Sequence, residues 1–167
     1  MTTTTKYILS KEAAEKKLVR MALEVAERNY GEQQLVLVGI KESGSLIAEK
    51  IAVHLKQIFS GEVIIVSLLI NKKKLGAITL QPAINVSDKV VLLIDDVANS
   101  GRVMLYALQP LLQQFPRKIQ TLALVERTHK SFPIALDYVG VSFSTTLDEH
   151  VSVEVENGQI LGACLLP

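Results

Sequence analysis

Cysteine is all but absent from this chain. The single Cys164 cannot close a disulfide within the molecule, and its place near the end puts it in no metal-ligand cluster. Histidine is scarce too: His54, His129 and His150 lie far apart and show no metal-site spacing. An excess of either charge is missing, because 18 Lys and Arg face 17 Asp and Glu, a formal net charge of +1. That balance gives no general electrostatic reason for tight nucleic-acid or membrane binding. Apolar runs are short, and Val63–Ile70, among the longest, is interrupted by Ser67, so no membrane span is expected. The opening MTTTTKYILSKEA has no apolar core of signal-peptide length, and a soluble cytoplasmic protein follows as the expectation. Neither GxxxxGKS/T nor GxGxxG occurs, so the Walker and dinucleotide fingerprints are both missing. There is no internal repeat, linker or low-complexity segment.

What is present is enough apolar material for one core. Hydrophobic residues make up 49% of 167, and the mean hydropathy is +0.30. One domain spanning 1–167 is the economical expectation. Ser10 reads as the N-cap of an amphipathic helix in which Ala14, Leu18, Met21, Ala22 and Val25 recur at helical spacing, with Gly31 as its stop. LVLVGI at Leu35–Ile40 reads as a strand, KESG at Lys41–Gly44 as a loop, and Ser45–Phe59 as a second helix. Val63–Ile70 is a strand, followed by a polar, Pro- and Gly-marked excursion to Lys89. VVLLIDD is a strand, and Arg102–Phe115 a helix with Leu105, Leu108, Leu111 and Leu112 on one side. IQTLALVERT and LDYVGVSF are further strands. Asn157-Gly158 between two apolar segments reads as a hairpin turn. Two-sided apolar strands alternating with helices predict an α/β fold, a mostly parallel sheet with helices on both faces.

The chemistry concentrates in VVLLIDDVANSG. Five apolar residues run into Asp95 and Asp96, two like charges with no basic neighbour in the next five positions. Ligands of open parallel sheets bind outside the carboxyl ends of strands, which is where these acids fall. Adjacent strand residues point to opposite faces, but curling at a strand end brings both toward one polyhydroxyl ligand, directly or through a hydrated cation. ANSGRV then opens a helix. Its small residues let backbone N–H groups close on an anion, Ser100 donates a hydroxyl and Gly101 permits close approach. Strand, two acids, phosphate loop and helix together suit a sugar phosphate. A purely local role, in which the acids and Asn99-Ser100 cap the helix, is the competing reading of the acid pair alone.

LLIDDVANSGR resembles the phosphoribosyl pyrophosphate signature of type I phosphoribosyltransferases. The likeness runs along nearly the whole chain. ILSKEAAEKKL, AERNYGEQQLVLVGIKESGSLIAEKIA and LALVERTHKSFPIALDYVGVSFSTT are similar to the branch of pyrimidine-operon attenuator proteins with uracil phosphoribosyltransferase activity. The resemblance implies that the sheet carries a small, shortened hood. It implies that Asp95 and Asp96 are catalytic and contact the ribose hydroxyls, and that Val97, Ala98, Asn99, Ser100, Gly101, Arg102 and Val103 complete the ribose 5-phosphate site. It also implies that Lys41, Glu42, Ser43 and Gly44 bind pyrophosphate. Magnesium is the implied cofactor, with no side chain assigned as a direct ligand. Phosphoribosyl pyrophosphate and a nucleobase, a pyrimidine in this branch, are the implied partners, with RNA as a further one and a homodimer as the assembly.

The chain departs from that pattern at several points. Val103 stands where the signature ends in Thr or Ser, Asn99 stands where purine-using members have a base-activating Asp, and Ser43 replaces a basic residue. The central excursion is short and carries no acid between Glu62 and Asp88, leaving Lys72, Lys73 and Lys74 as a cationic lid or a solvated turn. Arg127 is a candidate cation beside the base or a partner for Glu126 or another acid. His129 reads as a surface loop residue, Cys164 as packing, and Asp148-Glu149-His150 as a cluster in sequence only.

Overall fold

The computed structural model describes residues 6–71, 75–146 and 148–166. In chain order the elements are β1 (Lys6–Ser10), α1 (Lys11–Arg28), β2 (Gln34–Ile40), α2 (Ser43–Ile58), β3 (Glu62–Leu69), β4 (Thr79–Gln81) and β5 (Val90–Ala98). After these come α3 (Arg102–Leu112), β6 (Lys118–Arg127), β7 (Tyr138–Phe143), β8 (His150–Glu156) and β9 (Gln159–Leu166).

The main sheet has the order β4-β3-β2-β5-β6-β7, with every pairing parallel except the antiparallel edge β3–β4. Its central strands are apolar on both faces. Leu35, Leu37, Leu92 and Ile94 join a cluster with Leu18, Met21 and Val25 of α1 and Ile47, Ile51 and Leu55 of α2. Val36, Val38, Val91 and Leu93 join a second cluster with Met104, Ala107 and Leu111 of α3. Each such fully buried side chain contributes roughly 1.5–3 kcal/mol, which is why these strands read as continuous apolar runs. The expected α/β architecture, with helices on both faces, is what the chain adopts.

α1 begins where the sequence predicts: the Ser10 Oγ accepts the Ala13 N–H at 3.2 Å. It ends earlier, at Arg28. Asn29 turns its amide into the core, donating to Val25 O and Gln120 Oε1, each at 2.8 Å, while Gly31 takes up a positive φ in the turn beyond. α3 also stops early, at Leu112, before the left-handed Phe115 at φ 53°. Its buried face is Met104, Ala107 and Leu111, so Leu112, about 100° further round, stays 56% exposed instead of joining the apolar side.

Two strands escape a reading of local pattern. β4 is a three-residue edge inside the polar excursion. β1 pairs with β9 at the other end of the chain, Lys6 opposite Leu165 and Ser10 opposite Gly162. The small antiparallel sheet β1-β9-β8 is thus built from both termini, and it is the hood. Its β8–β9 hairpin turns at Asn157 and Gly158, with φ of 50° and 72°, the pair of positive values a two-residue primed turn requires. Among the described residues no helix is long and apolar enough to cross a membrane.

Candidate functional site

The acid pair lies inside β5 and not at its end, since pairing with β6 continues through Val97–Val125 and Ala98–Glu126. Asp95 is 2% exposed and Asp96 half-buried. Each carboxylate folds onto the next backbone amide: Asp96 N–H donates to Asp95 Oδ1 at 2.9 Å and Val97 N–H to Asp96 Oδ1 at 2.8 Å. Strict alternation would put Leu93 and Val97 on one face. Instead Leu93 and Ala98 share the α3 cluster, while Ile94 and Val97 share the cluster that reaches the hood residues Val151 and Val153. The alternation slips at the two acids, within the strand and not at its end.

The loop that follows is held from beneath. Ser131 and Phe132 N–H groups donate to Ser100 O at 3.0 and 3.1 Å. Gly101 is buried at φ 84°, and a Cβ there would stand 2.3 Å from Ile134 Cγ2, so both conformation and space demand glycine. Arg102 opens α3, its N–H donating to Ser100 Oγ at 3.3 Å and its guanidinium lying 5.9 Å from the Tyr106 ring centroid. Asn99 is exposed, and Val103 packs against the α3 cluster. Asp95 and Val97 to Met104 line a hollow of about 90 Å³, the size of a small anionic group and little more.

The second predicted segment meets the first. Gly39 and Ser45 touch at a tight strand-to-helix turn, closed by Ser45 Oγ donating to Gly39 O at 3.1 Å. The Lys41–Glu42 peptide is cis. Only Lys41 and Glu42 are loop: Ser43 and Gly44 are the first residues of α2, whose N-cap Glu42 makes no side-chain capping bond. A Cβ on Gly44 would stand 2.7 Å from Ile94 O and 3.1 Å from Asp95 Cα, so the start of α2 rests on the acid strand. Lys41 and Glu42 also border a hollow of about 420 Å³, shared with Leu69, Ile70, Asn71, Ala77 and Thr79. Lys72, Lys73 and Lys74 lie outside the described residues.

At the β6 end, Glu126 pairs with Lys130, and Arg127 reaches the connection after β7, where its charge also acts on Glu149. The Arg127 Nε donates to Thr145 Oγ1 at 2.8 Å and its Nη2 to Thr146 O at 3.1 Å, while Lys130 Nζ lies 3.0 Å from Glu126 Oε1. Glu149 accepts the Thr146 N–H and hydroxyl, and these two bonds hold its carboxyl below the usual range. His129 is exposed and Cys164 buried, as their sequence context suggested. Sequence reasoning passed over Lys130 and the Ser131–Phe132 amides. Their only signal was position, in the polar segment at the carboxyl end of another strand. A larger hollow of about 610 Å³ opens between α1, α2 and the hood hairpin, but Lys11 there bonds Gln159, Glu12 bonds Lys16 and Glu15 bonds His54, so its polar groups do not converge. Among the described residues no three His, Cys, Asp or Glu side chains gather as a metal cage.

Two acids, a small-residue loop opening a helix, and a glycine contact joining a second helix start form one continuous arrangement. The phosphoribosyl transferase domain model matches residues 4–156 of this chain. The chain belongs to the phosphoribosyltransferase family. It is similar to the bifunctional protein PyrR of Ligilactobacillus salivarius, 36% identical over 163 residues that cover 90% of this chain and 92% of that one. The PyrR protein of Clostridium acetobutylicum is 35% identical over 159 residues, covering 89% of each chain. In fold, the chain is similar to a Bacillus anthracis hypoxanthine-guanine phosphoribosyltransferase, with a TM-score of 0.77, 17% identity and 97% of each chain covered. A Trypanosoma cruzi hypoxanthine phosphoribosyltransferase gives a TM-score of 0.74 at 15% identity, over 83% of this chain and 82% of that one. The type I phosphoribosyltransferase fold, with its small hood sheet, is therefore the family's own.

Proposed function

We propose that residues 1–167 form one phosphoribosyltransferase domain that transfers the ribose 5-phosphate group of phosphoribosyl pyrophosphate to a nucleobase, a pyrimidine, releasing pyrophosphate. The observation that carries this is the contact of Gly44 with Asp95, which brings the pyrophosphate-side and ribose-side segments to one place. Sheet order supports the assignment of ends. The carboxyl ends of β2, β5 and β6 stand side by side, so the Lys41–Gly44 segment, the acids with their loop, and the Arg127 region form three successive stations. Pyrophosphate, ribose phosphate and base fit them in that order.

Asp95 and Asp96 accept hydrogen bonds from the ribose hydroxyls. Ser100, Gly101 and the first amides of α3 receive the 5′-phosphate, favoured by the helix dipole. As the bond from C1 to pyrophosphate breaks, the ribose gains oxocarbenium character and a base nitrogen attacks. The protein's task is to fix geometry, stabilise the departing charge and exclude water. Two adjacent carboxylates, with no cage of three such side chains among the described residues, suit magnesium, which keeps waters and is held chiefly by substrate phosphates. Asp95 and Asp96 are the residues to hold it through the ribose side, and it would neutralise pyrophosphate charge when bound.

A binding protein that senses phosphoribosyl pyrophosphate without turnover is the second reading. It is favoured by Val103, which presents an apolar side chain to the α3 cluster where the signature supplies a hydroxyl. The resemblance to attenuator proteins also makes RNA a partner to test. Incubation with phosphoribosyl pyrophosphate, magnesium and a panel of bases releases pyrophosphate if the first reading holds. Saturable binding with no release for any base selects the sensor, and no binding removes both. Retention of a pyrimidine-operon leader RNA at low salt, followed by filter binding, tests the RNA proposal; no retention overturns it.

A further inference from the structure

The segment Glu126–Phe132 begins at the base-side station and also reaches the phosphate loop, so it touches both sides of the site. Toward the phosphate loop, the Ser131 and Phe132 amides hold Ser100 O at 3.0 and 3.1 Å. The stem of Lys130 passes beside Gly101, where a Cβ would stand in ordinary van der Waals contact, 3.5 Å from Lys130 Cδ. The ammonium of Lys130 is itself anchored by Glu126 Oε1 at 3.0 Å and Arg127 O at 2.9 Å, in a pair whose side chains are 19% and 23% exposed. Within the main sheet, Glu126 Oε2 accepts from Ser142 Oγ of the neighbouring β7 at 3.0 Å. Arg127 spans Thr145 Oγ1 and Thr146 O on the connection from β7 to β8, and Thr145 is only 7% exposed. Glu149 fixes the same connection from its far side through the Thr146 N–H and hydroxyl.

We infer that Arg127 and Lys130 are positioning residues that register two walls of one site from a single segment. Lys130 sets the phosphate loop, and Arg127 sets the connection leading into the hood, on the base side. The inference rests on the phosphoribosyltransferase reading above. The chemistry of the two cations fits the division. A guanidinium offers donors in a rigid plane, so two acceptors fix the orientation of the connection as well as its distance. An ammonium is a point charge on a flexible stem, held here by a shielded carboxylate and a carbonyl. Neither cation needs to touch substrate to act, because its neighbours supply the walls.

Arg127→Lys, Arg127→Met and Lys130→Met are compared with the unaltered chain by amide hydrogen exchange without ligand, by phosphoribosyl pyrophosphate binding, and by steady-state kinetics with the base used fastest. Arg127→Met raises exchange at residues 144–146 and 148–149 and increases the base KM about tenfold, with phosphoribosyl pyrophosphate affinity within about twofold. Arg127→Lys, which keeps the charge without the fork, does the same to the base KM. Lys130→Met raises exchange at residues 99–103 and weakens phosphoribosyl pyrophosphate about tenfold, leaving the base KM within about twofold. If Lys130→Met does not fold, Glu126→Gln/Lys130→Met, which leaves no orphan carboxylate, takes its place. Exchange that rises uniformly, or substrate effects that move together, overturns the inference. If the unaltered chain binds no phosphoribosyl pyrophosphate, the functional reading fails on its own account, and the local exchange patterns still decide whether the two arms act separately.

Discussion

Gly44 rests on Asp95. A Cβ at Gly44 would stand 2.7 Å from Ile94 O, 3.1 Å from Asp95 Cα and 3.3 Å from Asp95 Oδ1. Two of these three atoms are backbone, so a methyl group cannot be accommodated by a rotamer change; the start of α2 has to move off the acid strand. Gly44→Ala should cost about 1–3 kcal/mol of stability as an overpacking substitution, and it should weaken phosphoribosyl pyrophosphate binding beyond what that loss explains. Gly31→Ala is the control, because Gly31 has a positive φ but nothing within 4 Å. Urea midpoints beside ligand titrations of both variants decide the matter; equal ligand effects would separate the Gly44 contact from the site.

Gly101 combines two demands that a double substitution separates. Gly101→Ala meets Ile134 Cγ2 and must also hold φ 84°. The steric part is relieved by Ile134→Ala, while the left-handed backbone cost, about 1–2 kcal/mol, stays. In a double-mutant cycle read by denaturant unfolding, the two changes together should cost less than the sum of each alone. Additive costs would show that the loop had shifted away from Ile134.

Asp96→Asn should reduce phosphoribosyl pyrophosphate affinity on the order of tenfold or more, since hydrogen bonds to a charged group contribute roughly 1.5–3 kcal/mol. The amide oxygen still accepts from Val97 N–H, so the melting temperature should change little. Calorimetric titration alongside a thermal melt checks both; unchanged affinity would refute the ribose assignment.

Stability should fall in acid through Glu32. Its carboxyl lies below the ordinary value of 4.5, first because Arg117 donates to it, with Lys118 adding a second positive charge. A lowered folded-state value means the contribution is complete above about pH 4.5 and is lost as pH falls through the folded value. Glu32→Gln should therefore be less stable than the unaltered chain at neutral pH and converge with it as pH falls through the folded-state value in urea unfolding curves. A constant offset over that range would assign the effect to packing.

How far the fold was legible depends on where the deciding contacts lie. Ser10, the helical spacing of Leu18, Met21 and Val25, and the Asn157-Gly158 turn are local signals, and all three act as read. β1 was not legible, because KYIL finds its hydrogen-bond partners in β9 and no local period announces that. The same holds for Leu112, where spacing named a face and the sheet chose a slightly different one.

For the site, sequence alone determined the ingredients: an apolar strand carrying Asp95 and Asp96, small residues at Asn99–Gly101, and a helix after them. The amides of such a helix start favour negative charge, which is the local part of the proposed site. Only the tertiary structure decided what it stands against. The seat of Gly44 on Asp95, the Ile134 contact beneath Gly101 and the Arg127 fork onto Thr145 and Thr146 all join residues far apart in the chain. They arise from packing of side chains and backbone across the carboxyl edge of the sheet, and packing is a property of neighbours in space, which residue order does not spell out.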